Sequence, residues 1–218
     1  MRPTIRIAIA STLCFLPAAL NAALVIDNIG NGSNAFSSTL SGPTATGFFF
    51  PTPFENREIA FSFTTGTTET YLESLSMVMN IGKGILDPIQ IALSTGASAP
   101  GGTGTVTLGS ATPVGSPANQ TLTFMPTVPP VLQPSTLYWL HITVPSGAAV
   151  YSVPSSDGAV LASGWSLGTT WTKTPSTAWT EGNSILGGDI RLNASPVPEP
   201  GTAMLGSIGM LLLIRRRR

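Results

Sequence analysis

An all-β fold, an antiparallel β-sandwich of jelly-roll type, is what the middle of this chain predicts. A signal peptide precedes it and a short hydrophobic helix follows it. Three observations carry the prediction. Apolar and polar residues alternate in eight or more short runs. Gly- and Pro-rich turn signals separate those runs. No segment between the two chain ends has a helical period.

Leu24-Val25-Ile26 opens the domain. In Glu58 to Phe63, Ile59, Phe61 and Phe63 fall on one face at period two. From Tyr71 to Asn80, Leu75, Met77 and Met79 point one way and Ser74, Ser76 and Val78 the other. Ile89 to Leu93, Thr105 to Leu108 and Gln120 to Phe124 repeat the pattern. Thr136 to Val144 is the longest run. It sets Leu137, Trp139, His141 and Thr143 against Tyr138, Leu140, Ile142 and Val144. Gly188 to Leu192 closes the domain. Between the runs sit Gly66, Gly82-Lys83-Gly84, Pro100-Gly101-Gly102, Pro113 to Pro117, Pro129-Pro130 and Asp157-Gly158. The Thr, Ser, Gly and Pro content would also suit a disordered stalk, but regular strand patterning argues against that.

The ends read as addresses. Arg2 and Arg6 precede an apolar stretch, Ile7 to Leu20, that contains Pro17 and is followed by Ala22 and Ala23. This predicts a secretory signal peptide over 1–23, cut after Ala22 or Ala23, and export through the Sec translocon. Cys14 has its leucine immediately before it rather than three positions earlier, which argues against a lipidation site. At the other end, Val197-Pro198-Glu199-Pro200 lies in a Pro-rich linker over 195–200. The prolines favour an extended, exposed chain. Residues 201–214 carry no charge, and as a helix they span about 21 Å. That is short against a hydrocarbon core of about 30 Å, but arginine snorkelling and bilayer thinning absorb such a mismatch. Arg215, Arg216, Arg217 and Arg218 follow directly and hold the C-terminus on the cytoplasmic side. Four consecutive arginines and no amphipathic period argue against a buried C-terminal helix.

These two signals hold six of the ten basic residues. Residues 24–194 keep four basic groups (Arg57, Lys83, Lys173, Arg191) against nine acidic ones, a net charge near −5. An acidic body argues against nucleic acid as a partner. It has no cysteine either, so stability must come from its core.

The tail resembles the PEP-CTERM sorting signal of exopolysaccharide-producing Gram-negative bacteria. The resemblance rests on Val197 to Pro200, the apolar stretch with Gly206 and Gly209, and the terminal arginines. It implies transient anchoring in the inner membrane and recognition by an exosortase, a membrane-embedded cysteine transpeptidase-like enzyme that cuts near the motif. The body then goes to the cell envelope, the cell surface or the extracellular matrix. The body resembles the choice-of-anchor family of exported β-domains in Ile59 to Gly66, Leu72 to Met77, Ile89 to Ser94 and Leu132 to Leu140. That resemblance implies a surface or matrix β-sandwich with no known catalytic activity.

Chemistry is sparse in the body. His141 is the only histidine, and without cysteines it makes a poor nucleus for a metal site. A Ser-His-Asp triad lacks a G-x-S-x-G elbow, since Gly96 to Pro100 lacks the final glycine. Gly101 to Gly104 lacks the lysine of a phosphate loop and reads as a hairpin connection. Glu55 with Glu58, or Glu69 with Glu73, would be the carboxylate pairs of a glycan hydrolase, the least favoured reading. Asp27, Asp87, Asp157 and Asp189 are the acids that calcium would use, but no D-x-D-x-D-G run is present. No cofactor and no metal are expected. Trp165, Trp171 and Trp179 lie close together in a Thr-rich stretch, with Tyr151 upstream. They are the candidate carbohydrate-binding residues, because exposed rings stack on sugars. Core packing is the competing reading for large rings. The sequence therefore favours a non-enzymatic exported surface or matrix protein associated with exopolysaccharide, with a carbohydrate-binding module as the alternative.

Overall fold

Period-two patterning fixes which side chains share a face, and the inward faces of two antiparallel sheets meet in one core. The computed structural model describes residues 22–29, 36–45, 56–81, 86–96, 99–101, 104–115, 119–155, 158–182 and 188–198. Residues 1–21 of the expected signal peptide, Glu199, Pro200, the apolar segment 201–214 and Arg215 to Arg218 lie outside the described residues. Among the described residues the chain forms fourteen strands and no helix.

One sheet contains β1 (Ala23–Asp27), β2 (Phe36–Ser41), β4 (Thr70–Ile81), β7 (Gln120–Phe124), β8 (Val131–Leu132), β10 (Val150–Ser155), β11 (Val160–Leu161) and β14 (Ile190–Pro196). Its order is β11-β1-β14-β4-β10-β2, with β7 and β8 also paired to β4. The other contains β3 (Glu58–Thr64), β5 (Ile89–Thr95), β6 (Val106–Ala111), β9 (Leu137–Thr143), β12 (Ser166–Lys173) and β13 (Thr180–Glu181), in the order β13-β12-β3-β9-β5-β6. Ser41 bridges to Arg57, so the end of β2 in the first sheet meets the chain entering β3 in the second.

The expected faces are the observed ones. Leu75, Met77 and Met79 from β4, Ile59, Phe61 and Phe63 from β3, and Tyr138, Leu140 and Ile142 from β9 are all buried in a single cluster. Each such side chain contributes roughly 1.5–3 kcal/mol through burial. Trp139, from the opposite face of β9, is not part of that cluster.

The two ends of the body are neighbours. Ala23 on β1 is the cross-strand partner of Ala194 on β14, and Pro196 is the partner of Thr70 on β4. Ser195 is buried, and the N–H of Val197 donates to the carbonyl of Glu69 at 3.1 Å. The expected linker at 195–200 therefore begins two residues late: Ser195 and Pro196 belong to β14 because β4 still offers them a ladder partner. The loops at Gly66, Ser135 and Gly164 lie beside this end, which we call the exit end.

Candidate functional site

The outward face of the second sheet carries most of the body's unusual side chains. Cross-strand register sets its layout. Trp171 on β12 lies beside Ala60 on β3, which lies beside His141 on β9, which lies beside Ala92 on β5. One row away, Trp139 lies between Ser62 and Ser94. Alanine and serine at these flanking positions leave space for the large rings to lie over the sheet.

Trp139 and Trp171 meet edge to face, with ring centroids 5.9 Å apart at 81°. His141 and Trp179 do the same at 5.6 Å and 74°. Lys173 Nζ sits 5.8 Å from the Trp179 ring centre, within cation–π range. The Trp171 indole N–H donates to Thr169 Oγ1 at 2.9 Å. Trp139 is only 2 % exposed, whereas Trp171, Trp179 and His141 are half-buried. Burial lowers the His141 pKa, and Lys173 lowers it further. The imidazole is therefore neutral at neutral pH.

His141 Nε2 lies 2.7 Å from Ser94 Oγ, a serine–histidine pair at hydrogen-bonding distance. A nucleophile also needs access and a base held by an anion. Ser94 is 1 % exposed, and the charge that acts on the imidazole is the Lys173 ammonium. This geometry anchors the histidine in the sheet and does not poise the serine for acyl transfer.

The structure does not bring the three sequence-selected tryptophans together. Trp165 is 8 % exposed and belongs to the inter-sheet core. Its ring stacks on Phe63 at 6.1 Å and 11°, and Phe63 stacks on Tyr138 at 5.6 Å and 17°. Gly66 lies against the indole, where an added Cβ would come within 2.8 Å of Nε1. Trp165 is thus removed from the candidate platform, because Phe63 and Gly66 offer its ring a buried slot. Trp171 and Trp179 remain on the outward face. Tyr151, upstream of them in sequence, is fully buried within the first sheet. Proximity in sequence missed Trp139, His141 and Lys173 as neighbours of these rings. The alternation in Thr136 to Val144, which puts Trp139 and His141 on one face, is the signal that finds two of them.

The acids have local tasks. Asp87 Oδ2 accepts the N–H groups of Ala148 and Ala149, both at 2.7 Å. The Tyr151 hydroxyl donates to the Asp87 carbonyl at 2.6 Å and accepts from the Asp87 N–H at 2.9 Å. Burial raises the Tyr151 pKa. Gly147 turns beneath the carboxylate with φ +91°, where an added Cβ would overlap it at 2.2 Å. Asp27 pairs with Arg191 at 2.9 Å, and Asp189 is buried. Asp157 and Glu55 lie outside the described residues. Glu69 accepts from Gln133 Nε2 at 2.6 Å, Glu73 from the Ser195 hydroxyl, and Glu58 lies opposite Lys173. Among the described residues no group of three or more His, Cys, Asp or Glu is placed to hold a metal ion. Of the expected sorting motif, Val197 is tied to Glu69 and Pro198 is exposed, while Glu199 and Pro200 lie outside the described residues.

No family model, no curated protein and no solved structure matches the chain.

Proposed function

We propose that the chain is an exported, non-enzymatic cell-surface or matrix protein. Its body is a jelly-roll-type β-sandwich, and its tail is a PEP-CTERM-type signal handled by an exosortase. The Sec translocon carries it out, the tail holds it transiently in the inner membrane, and processing delivers it to an exopolysaccharide-rich surface. The observation that carries this reading is the pairing of Ala23 with Ala194. β1 begins at Ala23, beside the expected signal-peptide cleavage site, and β14 ends at Pro196, just before the expected sorting motif. Both junctions lie side by side at one end, an arrangement that suits a domain handled from the membrane at both termini. Cleavage after Ala22 leaves β1 whole. The test is the intact mass of the secreted protein. Loss of residues 1–22 or 1–23 and of the segment beyond the motif is expected. Recovery of Arg215 to Arg218 on extracellular protein overturns the reading.

A second reading, carbohydrate binding, is favoured by the half-buried rings of Trp171 and Trp179 on one outward face with Lys173 between strand and solvent. The double variant Trp171→Ala, Trp179→Ala should then lose retention on purified exopolysaccharide. Unchanged retention by a folded double variant removes it.

A further inference from the structure

The last residue of β14 and the first residue of the apolar segment are close in sequence. Val197 is still hydrogen-bonded to the body, and Gly201 is only four residues later. A fully extended chain covers at most about 3.6 Å per residue, so these four steps reach about 14 Å. The head-group layer on each side of a bilayer is about 5–8 Å deep. While the tail is held in a membrane, the exit end cannot stand clear of that surface by more than a side chain or two.

The side chains around the exit suit such a surface. Val131 lies opposite Tyr71, which lies opposite Ser195, so it is two strand spacings, about 10 Å, from the end of β14. Val131 is exposed, and the loop that leads into it carries Met125 at 74 % exposure and Val128 at 78 %. On the other side of β14, exposed Leu24 lies opposite Asn193. Charge is arranged differently. Glu69 and Glu73 are engaged with Gln133 and Ser195. The described basic residues Arg57, Lys173 and Arg191 lie toward the opposite end of their strands. Among the described residues nothing cationic there would seek anionic lipid, so the contact would be apolar.

We infer that Met125, Val128 and Val131, with Leu24 across the exit, form a shallow membrane-contact surface that seats the body on the lipid head groups while the tail is anchored. This rests on the anchoring proposed above. The surface holds the body at a fixed tilt and presents Val197 and Pro198 at the interface. Its occupant is the lipid bilayer itself, and contact ends when the tail is cut.

The test uses the chain from Ala23 to Arg218, which contains the whole described body from β1 onward and no cysteine. Val128→Cys and Val114→Cys each receive a polarity-sensitive fluorophore, and the protein is reconstituted into phosphatidylethanolamine/phosphatidylglycerol vesicles. Val114 is 81 % exposed and lies toward the far end, near Gln120, the partner of Met79. The label at Val128 should shift to the blue and be quenched by brominated lipid, and the label at Val114 should do neither. Raised salt or phosphatidylcholine vesicles should leave the Val128 signal unchanged. Flotation with vesicles but an equally aqueous signal at both positions overturns the surface and leaves anchoring standing. A Val128 shift that salt abolishes overturns the apolar contact in favour of an electrostatic one. Failure to float overturns anchoring and, with it, this inference.

Discussion

Trp165 and Trp179 differ in sequence position by one turn and a strand, and their rings sit on opposite sides of the second sheet. The Trp165 ring is sealed between Phe63 and Gly66, so Trp165→Ala opens a core cavity and should cost about 3–5 kcal/mol. Trp179 is half-buried on an edge, and Trp179→Ala should cost about 1 kcal/mol or less. Urea unfolding of both variants checks the contrast; equal losses would contradict the assigned faces. His141 makes a pH prediction. Its folded-state pKa lies below the usual imidazole value of about 6.5, so the unfolded chain binds the proton first as pH falls. The stability associated with neutral His141 is complete above that value and is lost as pH drops from it toward the lowered folded value. His141→Gln, which keeps a polar partner for Ser94, should flatten that part of the stability–pH curve; an unaltered slope would refute the assignment. The sequence made part of this site legible. Alternation in β9 reveals that Trp139 and His141 share a face. It does not reveal that a bulge between Leu167 and Thr170 resets β12 and turns Trp171 outward beside Ala60. Nor does it reveal that Gly66 makes room for Trp165.

Strands with a clean apolar face were legible: β3, β4, β5, β7 and β9 lie where alternation puts them. The strands that escaped notice have physical reasons to do so. β2 is a sheet edge written Phe-Ser-Ser-Thr-Leu-Ser, and among its described side chains only Leu40 brings an apolar group to the core. β10 contains Pro154, which reads as a strand break, yet its carbonyl accepts the Asp189 N–H and its missing donor is tolerated. β12 places Thr170 where an apolar residue would be expected, and that threonine is buried. β8, β11 and β13 are two residues each, too short for any period to register. β14 is the element on which the first sheet depends, since it pairs with β1 on one side and β4 on the other. Leu192→Asp puts a carboxylate at a fully buried position between them. It should unfold the body or lower its stability by several kcal/mol, whereas Thr180→Asp on exposed β13 should change the stability by about 0.5 kcal/mol or less. Thermal melts followed by circular dichroism distinguish the two.

At the scale of the whole molecule, adjacent termini predict tolerance to circular permutation. Joining Pro198 to Ala22 with a short Gly/Ser linker and opening the exposed turn between Pro175 and Ser176 should leave a cooperatively melting β-protein. Loss of the cooperative melt would show that the strand termini are not neighbours in solution. The adjacency of Ala23 and Ala194 also sets a clock. On the proposed export route β1 is the first of the described strands to emerge and its partner β14 is the last, with the other described strands between them. Until β14 arrives, β1 has among the described strands only the two-residue β11 to pair with, and β4 lacks its long neighbour. The fold therefore has a high contact order, and its first sheet closes only after its final described strand is in place. On the proposed export route a folded body would report that translocation is complete, so that processing would act on a finished sheet and not a half-made one.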